Sequence, residues 1–131
     1  MRIQMLDALT NEDTTLIMVE FSTPFGNSLG EWRDVVPERY SYHHVEIETA
    51  HSLTWGQDIE PAAEESFLID YDMDNLVTLQ GKLENFEDDG TAYLRLGSGL
   101  VTLETEGPFT PPLDTFIRVH AKKIVLFPYE A

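Results

Sequence analysis

The sequence predicts an all-β domain with little helix, built as a small antiparallel barrel that is OB-like, with a β-sandwich as the alternative. Residues 76–106 alternate apolar and polar side chains with the period of two that is typical of half-buried strands. The turn sequences Asp88–Gly90 and Gly97–Gly99 divide this stretch into the three strands of an antiparallel meander. The length of 131 residues suits a single domain, residues 1–131, with one hydrophobic core.

The first third of the chain is less regular than the meander. Residues 1–9 are compatible with a strand or a short helix, and Asn11–Asp13 with a polar turn. Residues 14–22 form a β-branched apolar run, which predicts a strand. Residues 22–40 contain two prolines and two glycines, which predict a long loop with at most one helical turn. Trp32 in this loop is expected to pin it onto the core, with contact to a partner as the alternative role.

The middle of the chain alternates again and then loses its pattern. Residues 40–49 predict a strand, with His43, Val45 and Ile47 on one face and Tyr42, His44, Glu46 and Glu48 on the other. Residues 50–65 lack alternation, and Pro61 suits a first helical position, so this connection is expected to hold a short helix. Residues 66–71 predict a short apolar strand.

The C-terminal part supplies the last strands. Residues 107–114 contain three prolines and predict a rigid loop, and residues 115–127 predict the final strand pairing. Pro128 is expected to end the ladder, because proline has no N–H to donate. In total six to eight strands are expected, and the five from Ser66 onward would form the barrel, with the first 65 residues adding strands or cover.

The chain is strongly acidic, with 24 Asp and Glu against 8 Lys and Arg and a net charge of −16. Residues 40–81 contain nine carboxylates and no Lys or Arg. Such a surface repels phosphates, so we expect no nucleic-acid or membrane partner, and it attracts basic proteins. The plainer interpretation is that the acidity only keeps the protein soluble.

Cysteine is absent, which excludes disulfides and thiolate metal sites and favours a cytoplasmic location. The first residues lack the apolar run of a signal peptide, and no run of about 18 apolar residues predicts a membrane span. We therefore expect a soluble cytoplasmic protein.

Two patterns suggest a metal site but fall short of one. Asp70, Asp72 and Asp74 have the spacing of a calcium loop, but its sixth and twelfth positions are Asn75 and Gly81, where Gly and Glu are required. Asp72–Asn75 is therefore interpreted as a turn between two strands.

The histidines His43, His44 and His51 are the other candidate ligands. His44 shares a strand face with Glu46, and two ligands do not make a site. The sequence also lacks GxSxG, HExxH, a phosphate-binding loop and a cysteine nucleophile. We expect no cofactor, no metal, no catalytic residue and no enzymatic activity.

Aromatic residues and carboxylates in the middle of the chain predict a protein-binding surface. Aromatic side chains supply buried contact energy, and charge speeds the encounter with a basic partner. The predicted partner-binding residues are Tyr40, Tyr42, Glu46, Glu48, Trp55, Asp58, Glu60, Asp70, Asp72 and Asp74.

The last 60 residues or so carry short turn-and-strand motifs: Leu79-x-Gly81, residues 88–97, Pro111-Pro112, residues 115–119 and residues 126–129. On these motifs the chain resembles small acidic bacterial immunity-type proteins, which neutralise toxins. The resemblance implies a stoichiometric inhibitor of a basic toxin such as a nuclease, and it identifies no binding residue. The predicted function is thus a non-enzymatic acidic protein-binding domain. The alternatives are a structural or accessory subunit of a bacterial assembly and a small metal-dependent protein.

Overall fold

The fold is all-β, as the sequence predicts. The computed structural model describes residues 1–10 and 15–130, and all regular secondary structure in those residues is β-strand. The strands are β1 Arg2–Thr10, β2 Ile17–Thr23, β3 Gly26–Trp32, β4 Tyr42–Thr49, β5 Leu53–Thr54, β6 Ile59–Pro61, β7 Leu68–Tyr71, β8 Val77–Phe86, β9 Thr91–Leu96, β10 Gly99–Glu106, β11 Phe116–Ala121 and β12 Ile124–Tyr129. The expected six to eight strands were too few, because short strands occur where loops were predicted.

Five of these strands close a small barrel. The pairs are β1–β2, β2–β3, β3–β12, β12–β4 and β4–β1, and only β3–β12 is parallel. Numbered within the barrel, the order around the ring is 1-2-3-5-4, which agrees with the predicted OB-like class. The predicted position of the barrel from Ser66 onward is wrong. Four barrel strands come from the first 49 residues, and the fifth is the last strand of the chain.

The residues between β4 and β12 form a second group of strands. β10 pairs in parallel with β4 of the barrel, and β8, β9 and β10 form the predicted antiparallel meander. β11 and β7 pair with β8, and β6 pairs with β11. β5 pairs with β10, and a bridge between Trp55 and Ile59 joins β5 to β6. This group therefore curves back on itself around its own apolar side chains.

The alternation predicted from the sequence matches the burial of the side chains. In the meander, the buried apolar residues are Val77, Leu79, Leu83, Ala92, Leu94, Leu96, Val101 and Leu103. The barrel adds Ile3, Met5, Val19, Phe21, Val45, Ile47 and Leu126. Both sets belong to one continuous hydrophobic core.

Strand β3 corrects the prediction of a loop over residues 22–40. Its glycines do not break the strand. Gly30 lies within β3, and the position requires glycine because a Cβ there would come within 2.1 Å of Leu126 Cδ1. Gly26 has a φ of 132° and ends the tight turn between β2 and β3. Trp32 is the last residue of β3 and is 4% exposed, which confirms that it is held on the core.

Two prolines also behave differently from their predicted roles. Pro61 is the last residue of β6, so the short helix predicted after it is wrong, and the Ala62 N–H instead donates to Phe116 O (3.0 Å). Pro128 lies inside β12 opposite Val45 and does not end the ladder. The Val45 N–H points to Met1 O (2.8 Å), so the Val45–Pro128 pair is a non-hydrogen-bonded one and needs no proline N–H.

The remaining predictions concern the ends and turns of the strands. Residues 1–9, left open between strand and helix, form strand β1, and residues 17–23 confirm the apolar strand β2. The turns at 72–75 and 97–98 are confirmed, whereas the polar turn at Asn11–Asp13 lies outside the described residues. Within residues 1–10 and 15–130, no helix has the length and apolar character to cross a membrane.

Candidate protein-interaction surface

The structure divides the predicted partner-binding residues among three places. Tyr42, Glu46 and Glu48 lie on strand β4, and Tyr40 precedes it in the loop. The second place includes Trp55, Asp58 and Glu60 around strands β5 and β6, and the third includes Asp70, Asp72 and Asp74 on β7 and the turn after it. These ten residues therefore come from three separate stretches of the chain.

The first place is a two-strand surface on the outside of the barrel, which we call the β4 face. Val45 and Ile47 point into the barrel, so the residues between them point outward. The register of β12 adds two aromatic residues, with Phe127 opposite Glu46 and Tyr129 opposite His44. The β4 face consists of Tyr42, His44, Glu46, Glu48, Phe127 and Tyr129.

The aromatic side chains of the β4 face are open to solvent. Tyr42 is 57% exposed, Tyr129 46% and Phe127 37%. The Arg2 guanidinium lies 4.3 Å from the centroid of the Tyr42 ring, which shows that this ring accepts a cation on its face. Exposed aromatic rings beside the carboxylate of Glu46 combine apolar contact area with negative charge.

A cleft of about 450 Å³ adjoins the β4 face where the barrel meets the meander. Its walls include Glu46 and Tyr129 from the barrel and Tyr93, Arg95 and Leu100 from the meander. Arg95 is held there by Glu84, with Nη2 to Oε2 at 2.7 Å. The Tyr93 hydroxyl donates to Glu87, and this hydrogen bond to a carboxylate raises the pKa of the phenol.

Around Trp55 the aromatic residues stack in a row. The Trp55 ring packs edge-on against Phe109, with centroids 5.7 Å apart, and Phe109 stacks on Phe86 at 4.7 Å. The Asp58 carboxylate accepts a hydrogen bond from the Thr54 N–H (2.8 Å) and so closes the loop that follows β5. Asp58 is therefore a structural residue of this loop.

A largely apolar cavity of about 230 Å³ opens beside Trp55, and we call it the Trp55 pocket. The residues that line it come from the position just after β5, from the ends of β6 and β11, and from the proline-rich loop before β11. They include Trp55, Pro61, Pro111, Pro112, Phe116 and Ile117.

The third place is the turn between β7 and β8. One oxygen of Asp72 accepts from the N–H groups of Asp74 (2.9 Å) and Leu76 (3.0 Å). Asp72 therefore builds the turn, as interpreted from the sequence, while Asp70 and Asp74 are exposed.

The three candidate histidine ligands do not meet. His43 Nε2 lies 2.7 Å from Ser41 Oγ, and His51 Nε2 accepts from the Lys122 N–H (2.9 Å). His44 packs against Tyr129, with centroids 6.0 Å apart. Among residues 1–10 and 15–130, no group of three or more His, Asp or Glu side chains is arranged to hold a metal ion.

Many of the few cations are already paired with carboxylates of this chain. Lys82 contacts Asp114 (3.9 Å), and Arg33 and Lys123 contact the buried Glu31 (2.7 and 3.3 Å). These pairs leave the excess of negative charge to dominate the outer surface.

Sequence reasoning missed Phe127, Tyr129 and the Trp55 pocket. The alternation at residues 124–129 could have identified outward-facing aromatic residues, but not their position beside Glu46, which depends on the pairing of β12 with β4. No protein-family model, curated protein or solved structure matches this chain.

Proposed function

We propose that this chain is a non-enzymatic, acidic protein-binding domain that engages a basic protein through the β4 face. The observation that supports the proposal best is that the exposed rings of Phe127 and Tyr129 adjoin the outward face of β4, with Phe127 directly opposite Glu46. The aromatic rings would supply the buried contact area, and the carboxylates would attract Lys and Arg of the partner and speed the encounter.

The rigidity of the surface favours tight binding. Val45 and Ile47, which alternate with the outward residues of β4, are each 1% exposed and are packed in the barrel core. Side chains that project from paired strands lose little further freedom when a partner binds.

The charge of the barrel favours a protein over a nucleic acid as the partner. OB-like barrels that bind oligonucleotides do so over their second and third strands, with basic and aromatic residues. Here the outward positions of β2 and β3 are Met18, Glu20, Ser22, Asn27, Leu29 and Glu31. These positions include no Lys or Arg, and the nearby Arg33 and Lys123 are paired with Glu31.

The narrower form of the proposal is an immunity-type inhibitor of a nuclease toxin. Glu46 and Glu48 are two positions apart on an extended strand, which separates their Cα atoms by about 7 Å along the strand. In this form the two carboxylates would occupy sites where the toxin binds phosphates of its substrate. Inhibition would be stoichiometric, with no chemical step by this chain.

A pull-down with matched charge variants tests the proposal. The variant Glu46→Lys with Glu48→Lys changes the β4 face, and Asp70→Lys with Asp74→Lys makes the same change in net charge at the β7–β8 turn. The immobilised proteins are exposed to lysate of the source cell and eluted with a salt gradient. We expect a basic protein on the wild type and on the β7–β8 control, released by moderate salt, and its loss from the β4-face variant.

Two results would contradict the proposal. A partner that is lost equally from both charge variants would bind by net charge and not by the β4 face. Self-association that depends on protein concentration and ignores salt, with no second protein retained, would instead support the structural-subunit alternative.

A further inference from the structure

We propose that the Trp55 pocket receives one aromatic side chain from a Lys- or Arg-rich segment of the partner. This inference rests on the proposed binding of a basic protein, and it adds a second contact site with a stated chemistry. The β4 face and the Trp55 pocket share no residue, so the two sites are open to separate tests.

The size and lining of the pocket indicate an aromatic occupant. A protein cavity of about 150 Å³ lined by apolar residues binds benzene. The Trp55 pocket, at about 230 Å³, is large enough for one aromatic ring with part of its stem. Its walls are Trp, Phe, Pro, Ile and Thr side chains without a charged group, so an apolar ring loses no hydrogen bond on entry.

The pocket is held open by its own contacts. Trp55 is supported by Phe109, and Phe116 packs against Phe67 with centroids 5.6 Å apart. The Thr115 hydroxyl donates to Pro112 O (2.7 Å), which fixes the end of the proline-rich loop. The prolines in its walls have fixed φ angles, so little ordering is needed when a ligand enters.

The surroundings of the pocket are acidic, which is why we assign basic residues to the flanks of the ligand's aromatic residue. Glu106 lies opposite Thr54, next to Trp55, whereas Glu60, which precedes the lining residue Pro61, contacts His120 (Oε1 to Nε2, 3.2 Å). Both carboxylates are exposed. The stretch of residues 40–81, which supplies one wall, contains no Lys or Arg. A cationic segment is therefore attracted to the rim of the pocket, beside its inserted ring.

Nuclear magnetic resonance of the two tryptophans provides the test. The probe is a capped peptide with one Phe between two pairs of Lys, and the comparison peptide has Ala in place of Phe. The Trp55 indole N–H reports on the pocket. The Trp32 indole N–H, which donates to Val35 O (2.8 Å) at the end of β3, is the internal control.

We expect the Phe peptide to shift the Trp55 indole resonance and leave that of Trp32 in place. Replacement of Phe by Ala should weaken binding about tenfold or more, because a buried aromatic side chain is lost. Glu106→Gln should weaken it about threefold at low salt, and added salt should remove that difference. Asp74→Asn, which makes the same change of charge at the β7–β8 turn, should leave peptide binding unchanged.

A variant that fills the pocket keeps the test independent of Trp55 itself. Thr110 lines the pocket and is exposed. The Phe side chain of Thr110→Phe should therefore occupy the cavity and reduce the affinity for the Phe peptide to that for the Ala peptide. Thr10→Phe at the exposed end of β1 is the matched control. The inference is overturned if the Ala peptide binds as tightly as the Phe peptide, if both indole resonances shift alike, or if Thr110→Phe binds like wild type.

The failure of one proposal does not imply the failure of the other. Peptide binding at Trp55 together with a failed pull-down would support the pocket as a binding site and contradict the proposal that this chain binds a basic protein. A partner that depends on the β4 face but tolerates Thr110→Phe, together with a silent Trp55 resonance, would support the proposed function and overturn the pocket.

Discussion

Glu31 presents the sharpest test of what stabilises the barrel. This carboxylate points outward from β3, yet its side chain is only 2% exposed. Arg33 Nε lies 2.7 Å from one oxygen and Lys123 Nζ 3.3 Å from the other. A carboxylate removed from water in this way depends on both cations to offset its lost hydration.

We predict that Glu31→Gln lowers the free energy of unfolding by about 2 kcal/mol. Hydrogen bonds to charged groups contribute about 1.5–3 kcal/mol each. The two cations contact different oxygens of Glu31, and in Gln one of these oxygens is replaced by an NH2 group, which is a donor. The loss stays below the larger cost of breaking a fully buried pair, because Arg33 is 55% exposed and Lys123 33% exposed. Both cations therefore regain water when the carboxylate is removed.

Urea unfolding followed by tryptophan fluorescence measures this change. Glu38→Gln replaces an exposed carboxylate and should change the stability by less than about 0.5 kcal/mol. If Glu31→Gln were as mild as Glu38→Gln, with the same urea dependence, the two cations would not be stabilising the buried carboxylate and the reasoning would be refuted.

Three further predictions concern single contacts. Gly97 has a φ of 66°, and a Cβ there would lie 2.1 Å from the Phe25 ring, so Gly97→Ala should cost about 1–3 kcal/mol in urea unfolding. Gln80→Ala removes donors to two loop carbonyls (3.0 and 3.4 Å), and hydrogen exchange of residues 64–66 should accelerate; unchanged exchange would contradict this role. The hydrogen bond from Tyr71 to Glu20 raises the pKa of the phenol above its usual 10.0. Its contribution is therefore complete below pH 10 and is lost as the pH rises through the raised folded-state pKa, so Tyr71→Phe should melt with a flatter pH dependence above pH 10.

The local pattern of the sequence was sufficient for the meander and for part of the candidate surface. Residues 76–106 alternate between two environments, and the side-chain period of a strand decides which residues are buried without reference to other strands. The same period places Tyr42, Glu46 and Glu48 on one face of β4, so three predicted partner-binding residues share a surface.

Only the tertiary structure decided which strands close the barrel and what lies beside the carboxylates. β12 pairs with residues 94 positions away in β3 and 75 to 85 positions away in β4, and such pairing depends on the packing of the whole core and not on neighbouring residues. That pairing brings Phe127 next to Glu46. In the same way, the glycine within β3 is explained only by the side chain of Leu126 across the barrel. Local periodicity therefore determined the faces of the strands, and long-range pairing determined which faces meet.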